Sequence, residues 1–230
     1  QYIDRELDKN MQRTAKRPLA DGRLTDAEGL AFGLGLSLVS YYVLACFVNG
    51  LAALLSLAGI FYYVIFYSLW LKKATVQNIV IGGGAGAIPP MVGWAAATNN
   101  LGLTAWILFA IIFMWTPPHF WALAIKYKDD YEAAGIPMLP VVATQKNVST
   151  QMWFHTLSMA ATSFIVLHSA GFPKVFYIVN FLLNLFFIWL MVQMRGEKIQ
   201  IEKAAIKIFH GSITYLTLYS LMLILGAFYV

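Results

Sequence analysis

Charge is scarce in this sequence: charged residues make up 12% of the 230, against 60% hydrophobic, and mean hydropathy is +0.66. That balance excludes an ordinary soluble domain, where about a quarter of residues are charged. Cysteine is almost missing, and the single Cys46 falls within an apolar run, so no disulfide can be proposed. No Asp, Glu, Lys or Arg occupies the middle of an apolar run. This argues against a proton-coupled transporter or a charge-lined pore, which place ionisable groups near the membrane midplane. Nucleotide-binding glycine motifs are absent too: "IGGGAGAIPP" follows neither G-x-G-x-x-G nor a P-loop, and no Lys-Ser/Thr comes after it. No nucleic-acid partner is expected.

What the chain does have is long apolar sequence. Seven runs match the roughly 20 residues that a helix needs to cross about 30 Å of hydrocarbon. They are Leu30–Asn49, Leu51–Leu71, Asn78–Ala97, Leu103–Ile125, Met152–Ala170, Val175–Met194 and Ile208–Tyr229. An all-α polytopic membrane protein is predicted, with residues 1–230 forming one transmembrane domain. Pro89–Pro90 and Pro117–Pro118 fall inside the third and fourth runs and should kink or break those helices. Because the chain begins with Gln1 and directly with charged residues, an N-terminal portion is expected to precede it.

Alternating the seven spans places Gln1–Gly29, Lys72–Gln77, Lys126–Gln151 and Arg195–Lys207 on one side of the membrane. Of the 16 Lys and Arg residues, all but Lys174 fall there, so the positive-inside rule makes that side cytoplasmic. All 11 Asp and Glu residues are on it as well, which the rule does not require. Any chemistry is therefore expected at the cytoplasmic mouth.

The opening "YIDRELDKNMQRTAKRPL" puts Asp4 and Asp8 one helical turn apart on one face. A carboxylate pair suits Mg²⁺, which is commonly held by one or two carboxylates together with substrate phosphates and waters. The competing reading is a solvated helix whose acids pair locally with Arg5, Lys9 or Arg13. Arg13 and Arg17 fit phosphate oxygens, and they equally fit the charge bias of a cytoplasmic flank. Asp129, Asp130 and Glu132 form a second acidic group, and Lys72 and Lys73 a second basic one. Two acidic and two basic groups on one face are what a Mg²⁺–diphosphate site needs.

Three strings, "DRELDKNMQRTAKRPL", "LKKATVQNIVIGGGAGAIPPMVGW" and "TPPHFWALAIKYKDDYEAAGIPMLPV", carry a resemblance that covers essentially the whole chain. The sequence resembles the UbiA superfamily of intramembrane prenyltransferases, and the last two strings resemble its haem-accepting branch. The resemblance implies nine transmembrane helices around a central cavity, so a seven-span chain would lack the first helix and most of the second. It implies transfer of the farnesyl group of farnesyl diphosphate to a vinyl group of haem B, giving haem O and diphosphate, with Mg²⁺ as cofactor. Asp4, Asp8, Asp129 and Asp130 would hold metal, and Arg13, Arg17, Lys72, Lys73 and Asn78 would hold the diphosphate. The expected setting is a bacterial inner membrane in preference to a mitochondrial one, with haem A synthase or terminal oxidase assembly factors as partners. The family usually has an aspartate near the position of Tyr127 and often Lys-Arg where Lys72 and Lys73 stand. The alternatives are a quinone-precursor or chlorophyllide acceptor, or a transporter or assembly factor.

His119 in "TPPHFW" has two readings, a haem-binding or proton-transfer residue and a hydrogen-bonded helix histidine. The glycines read first as close helix packing and second as a low cavity wall that admits a flat macrocycle. Tyr67, Trp70, Phe120 and Trp121 are candidates for lining a prenyl channel, where aromatic faces attract an allylic cation.

Overall fold

The computed structural model describes residues 1–194 and 197–229, and all regular structure among them is helical. Arg195, the first residue of the predicted fourth cytoplasmic segment, lies outside the described residues. A short α1 (Arg5–Lys9) and a series of turns lead to α2 (Asp26–Phe47). Next, α3 (Gly50–Phe61) runs directly into a π-helical segment, Tyr62–Leu71, and a last turn, α4 (Lys72–Ala74). After α5 (Asn78–Thr98) and α6 (Leu103–Lys126) come the short α7 (Lys128–Ala133) and α8 (Leu139–Val142). The chain ends with α9 (Gln145–Ser169), α10 (Lys174–Val192) and α11 (Lys198–Gly226).

Counting Gly50–Ala74 as one rod, seven long helices stand where seven spans are predicted. Six are long and apolar enough to cross a membrane. The exception is α9, whose Asn147, Thr150, Gln151, His155 and Thr156 lower its hydropathy. It packs against the central α6, and Met152, Thr156, Met159 and Ser163 are buried.

Neither proline pair breaks its helix: Pro89–Pro90 sit inside α5 and Pro117–Pro118 inside α6. Helix boundaries follow local chemistry. Thr25 and Glu28 form a reciprocal capping box at the start of α2. Asn49 caps α3 by accepting from Ala52 N at 2.9 Å, while its amide donates to the Ala95 carbonyl at 2.8 Å, which pins the α2–α3 turn to the far end of α5. Asn99 ends α5 in the left-handed region (φ 51), which short polar side chains tolerate.

The core centres on α6, which packs on α5, α9 and α11. By contrast, α2 has no buried residue and, of the described helices, packs only on α3, so nearly its whole apolar surface suits lipid. Between α9, α10 and α11 lies a buried polar knot. Asn180 and Asn184 each donate to Ser163 Oγ at 3.0 Å, Tyr215 donates to Asn184 Oδ1 at 3.1 Å, and Tyr219 to the Ser163 carbonyl at 3.4 Å. Each donor here finds an internal acceptor, as polar groups in hydrocarbon must.

Candidate active site

At the N-terminus the backbone closes one turn, Asp8 N donating to Asp4 O at 2.8 Å, and this brings the two carboxylates to one face. Both turn inward, with Asp4 9% and Asp8 3% exposed, while Glu6 and Lys9 pair outside at 2.9 Å. The carboxylates do not make the local pairs expected of a solvated helix. Asp4 Oδ2 lies 2.8 Å from Lys72 Nζ, and Asp8 receives one nitrogen of Arg17 at 2.9 and 3.2 Å. Thr14 Oγ1 donates to the Asp8 carbonyl at 3.2 Å, folding the chain back so that Arg17 reaches Asp8. Lys72 is held by its own backbone: the fully buried Asn78 donates from Nδ2 to the Lys72 carbonyl at 3.1 Å. Arg5 turns away to Asp26 at 2.8 Å.

The other predicted residues divide around this cluster. Arg13 is exposed, its guanidinium 5.9 Å from the Tyr127 ring centre. Tyr131 is buried beside it. Burial pushes the Tyr131 hydroxyl up from its ordinary value, Asp130 adds to the rise, and Arg13 and Arg17 oppose it, so this phenol feels both arginines and the second acidic group. Asp130 is half-buried, whereas Asp129 is exposed and lines a separate cleft with Lys126, Lys128 and Glu202. The two neighbours therefore face different surroundings. Lys73 is exposed and Lys72 is not, so only Lys72 joins the acids.

Among the predicted site residues, three buried oxygens have no hydrogen-bond partner within the described residues: Asp4 Oδ1, Asp130 Oδ2 and Asn78 Oδ1. Among those residues no three His, Cys, Asp or Glu side chains converge as metal ligands. The donor set nonetheless fits a hard cation, because Mg²⁺ needs only one or two protein carboxylates when phosphates and water complete its shell. An orphaned carboxylate oxygen is the atom such an ion would take.

Next to the cluster, where Tyr63 and Tyr67 come within reach of the Asp4 charge, a partly open cavity of about 620 Å³ lies between α3, the π segment, α5 and α6 and is lined mainly by apolar groups. Its size falls within the range of roughly 300–1,000 Å³ usual for small-molecule sites. Tyr63, Tyr67, Trp115 and Phe120 supply aromatic walls. Of the aromatics predicted for a channel, Tyr67 and Phe120 line it, Trp70 is exposed, and Trp121 is fully buried elsewhere in the core. The cavity reaches Val92, fourteen residues beyond Asn78 and so about 20 Å along α5 at helical rise. The glycine run serves both readings. A Cβ on Gly82 would collide with the Tyr67 ring and one on Gly83 would stand 3.0 Å from Thr116 Cγ2, whereas one on Gly86 would meet only open space.

His119 is absent from the cavity lining. It packs between α6 and α11, its ring clamped between Trp115 at 4.2 Å and Phe209 at 4.7 Å. Its Nδ1 lies 2.7 Å from Ser212 Oγ, and Nε2 has no partner among the described residues.

Sequence reasoning missed Tyr131, Tyr63, Ser212 and the π segment. The tyrosines carry no distinguishing spacing, and Ser212 meets His119 only through tertiary packing. The π segment, "YYVIFYSLWL", is marked by no Gly or Pro.

Comparison with known proteins agrees with this architecture. Residues 1–213 match the model of the UbiA prenyltransferase family. A protoheme IX farnesyltransferase of Gloeobacter violaceus is 52% identical over 169 residues, covering 74% of this chain and 55% of that protein. One from Synechococcus sp. (strain JA-3-3Ab) is 45% identical over 221 residues, covering 96% and 65%. One from Neorickettsia sennetsu is 43% identical over 229 residues, covering 98% and 74%. The chain thus spans little more than half of the first of these and under two thirds of the second. No solved structure matches it. With its helical membrane architecture, its mouth of paired acids and bases and a family match over most of its length, the chain belongs to the UbiA prenyltransferase family.

Proposed function

We propose that the protein transfers the farnesyl group of farnesyl diphosphate to a vinyl group of haem B, giving haem O and diphosphate. The observation that carries the reaction type is the adjacency of the Asp4–Lys72 and Asp8–Arg17 cluster to a mainly apolar cavity whose aromatic wall, at Tyr63 and Tyr67, lies near Asp4. A charged head and an apolar tail find separate, adjoining seats there. The haem acceptor rests on the name that the relatives carry.

Asp4 and Asp8 would hold a Mg²⁺ ion, with Asp130 contributing its unpartnered oxygen and Asp129 a weaker candidate on its separate face. When bound, such an ion neutralises charge that builds on the departing diphosphate. Lys72 and Arg17 take diphosphate oxygens, Arg13 and Lys73 add charge from the rim, and Asn78 holds the turn that presents Lys72. The C–O bond of farnesyl diphosphate breaks with its electron pair leaving on diphosphate. The vinyl carbon then bonds to the allylic C1. Water adds to the resulting cation and loses a proton, giving the hydroxyethyl group. The faces of Tyr63, Tyr67 and Trp115 suit the allylic cation. His119, fixed through Nδ1, is assigned to the haem side with Nε2 as its free atom.

The membrane is proposed to be a bacterial inner membrane with the mouth on the cytoplasmic side, as the Lys and Arg distribution suggests. Haem A synthase and oxidase assembly factors are the proposed partners. The test is to incubate the full-length protein in detergent with farnesyl diphosphate, Mg²⁺ and both haem B and a quinone precursor, and to read the product masses. A hydroxyethylfarnesyl haem supports the proposal. Unaltered haem, with prenylation of a quinone precursor instead, overturns it.

A further inference from the structure

Both carboxylates required by the metal reading are already occupied by cations of the chain itself. Lys72 holds Asp4 and Arg17 holds Asp8, and these are the same two cations that the diphosphate requires. The Asp4–Lys72 pair is sheltered, with side-chain exposure of 13% and 16%, and Asp8 is buried at 5%, while its partner Arg17 is more open at 35%. A divalent cation arriving alone would have to displace Lys72 and Arg17 and leave them unpaired in a partly desolvated site. A diphosphate arriving alone would strand Asp4 and Asp8 in the same way. Leaving one member of a sheltered pair without its partner is the costly outcome.

We propose that the site is self-paired at rest and takes cation and diphosphate only together, by exchange of partners. The divalent cation replaces Lys72 and Arg17 at the carboxylates, and the released Lys72 and Arg17 turn to diphosphate oxygens. Every charge then keeps a partner. Asp4 Oδ1, buried and without a partner, gives the incoming cation a first contact before Lys72 leaves. Coupling of this kind is reciprocal: whatever diphosphate does to cation affinity, the cation does to diphosphate affinity. The inference rests on the Mg²⁺–diphosphate reading above and adds that neither ligand binds well without the other.

The experiment titrates the purified protein in detergent with Mn²⁺, followed by its electron paramagnetic resonance signal, and with inorganic diphosphate, alone and together. Each ligand should raise the other's affinity by about tenfold or more. Lys72→Met should strengthen binding of Mn²⁺ alone, and Asp4→Asn should strengthen binding of diphosphate alone. Lys16→Met removes the same charge from an exposed side chain next to Arg17, outside both pairs, and should leave Mn²⁺ affinity within about twofold of the parent. Unchanged lone-ligand affinities in both Lys72→Met and Asp4→Asn, or an effect of Lys16→Met as large as that of Lys72→Met, would overturn the exchange and leave the underlying reading standing. Failure of the parent protein to take up Mn²⁺ with diphosphate present would remove that reading and the exchange with it.

Discussion

His119 donates from Nδ1 to Ser212 Oγ across 2.7 Å, and the direction of that bond follows from a second one. The Ser212 hydroxyl gives its only proton to the Phe209 carbonyl at 2.7 Å, so the imidazole is the donor, and in the neutral ring Nε2 keeps its lone pair. Fixing one ring nitrogen in this way is how proteins prepare the other as a ligand or base.

If Nε2 serves the haem, His119→Ala weakens haem binding or shifts the Soret band, while affinity for farnesyl thiodiphosphate stays within about twofold, since that ligand is held by charges at the mouth. Paired titrations on one purified variant check this. Loss of both ligands together with a lower melting temperature would return His119 to a packing role between Trp115 and Phe209.

Asp4→Asn and Asp8→Asn should each lower turnover by at least about a hundredfold, because losing a metal-held leaving group raises the barrier by several kcal/mol. Expression and membrane insertion should be near normal, since both residues precede the first long helix. Steady-state rates on matched membrane preparations test the point. Activity within about threefold of the parent in both variants would eliminate the metal role.

Two glycines four residues apart should behave differently. Gly86→Leu extends into open cavity space and should weaken farnesyl thiodiphosphate binding by about tenfold, with geranyl thiodiphosphate less affected and the melting temperature nearly unchanged. Gly82→Ala drives a methyl into the Tyr67 ring and should destabilise by about 1–3 kcal/mol. Undiminished farnesyl affinity in Gly86→Leu would take this cavity out of the prenyl path.

Tyr131 supplies a pH test. Burial raises its folded value, so the neutral phenol is the form the fold favours. Its contribution is intact below the unfolded value of about 10 and is lost as pH rises past that value. Melting temperatures of the parent should therefore fall faster above about pH 10 than those of Tyr131→Phe, and the two curves should run parallel below it. Parallel curves throughout would show that the phenol does not feel its burial.

What could be read from the sequence was mostly local or periodic. The seven apolar runs depend on length and composition alone, and Asp4 and Asp8 depend on one turn of backbone, so both were legible. The partners of those acids were less so. Arg17 reaches Asp8 because Thr14 folds the chain back, and Lys72 reaches Asp4 because α2 and α3 pair as a hairpin. Asp129 and Asp130 show a different limit. Adjacent helical residues point about 100° apart, so a side-by-side acidic pair rarely serves one site, and here Asp129 faces its own cleft. His119 stood out through its motif, yet its seat behind the cavity wall, against Ser212 and Phe209, depends on α11, whose face toward α6 no local pattern announces.

The π winding of Tyr62–Leu71 gives this helix slack. Each of its hydrogen bonds spans one residue more than an α-helical bond. Deleting a residue from an ordinary α-helix rotates everything beyond it by about 100°. Here a deletion can be absorbed by tightening one turn from i+5 to i+4 bonding, which keeps Lys72 in register with Asp4. A one-residue deletion between Tyr62 and Leu71 should therefore disturb the mouth less than one placed elsewhere in the same rod.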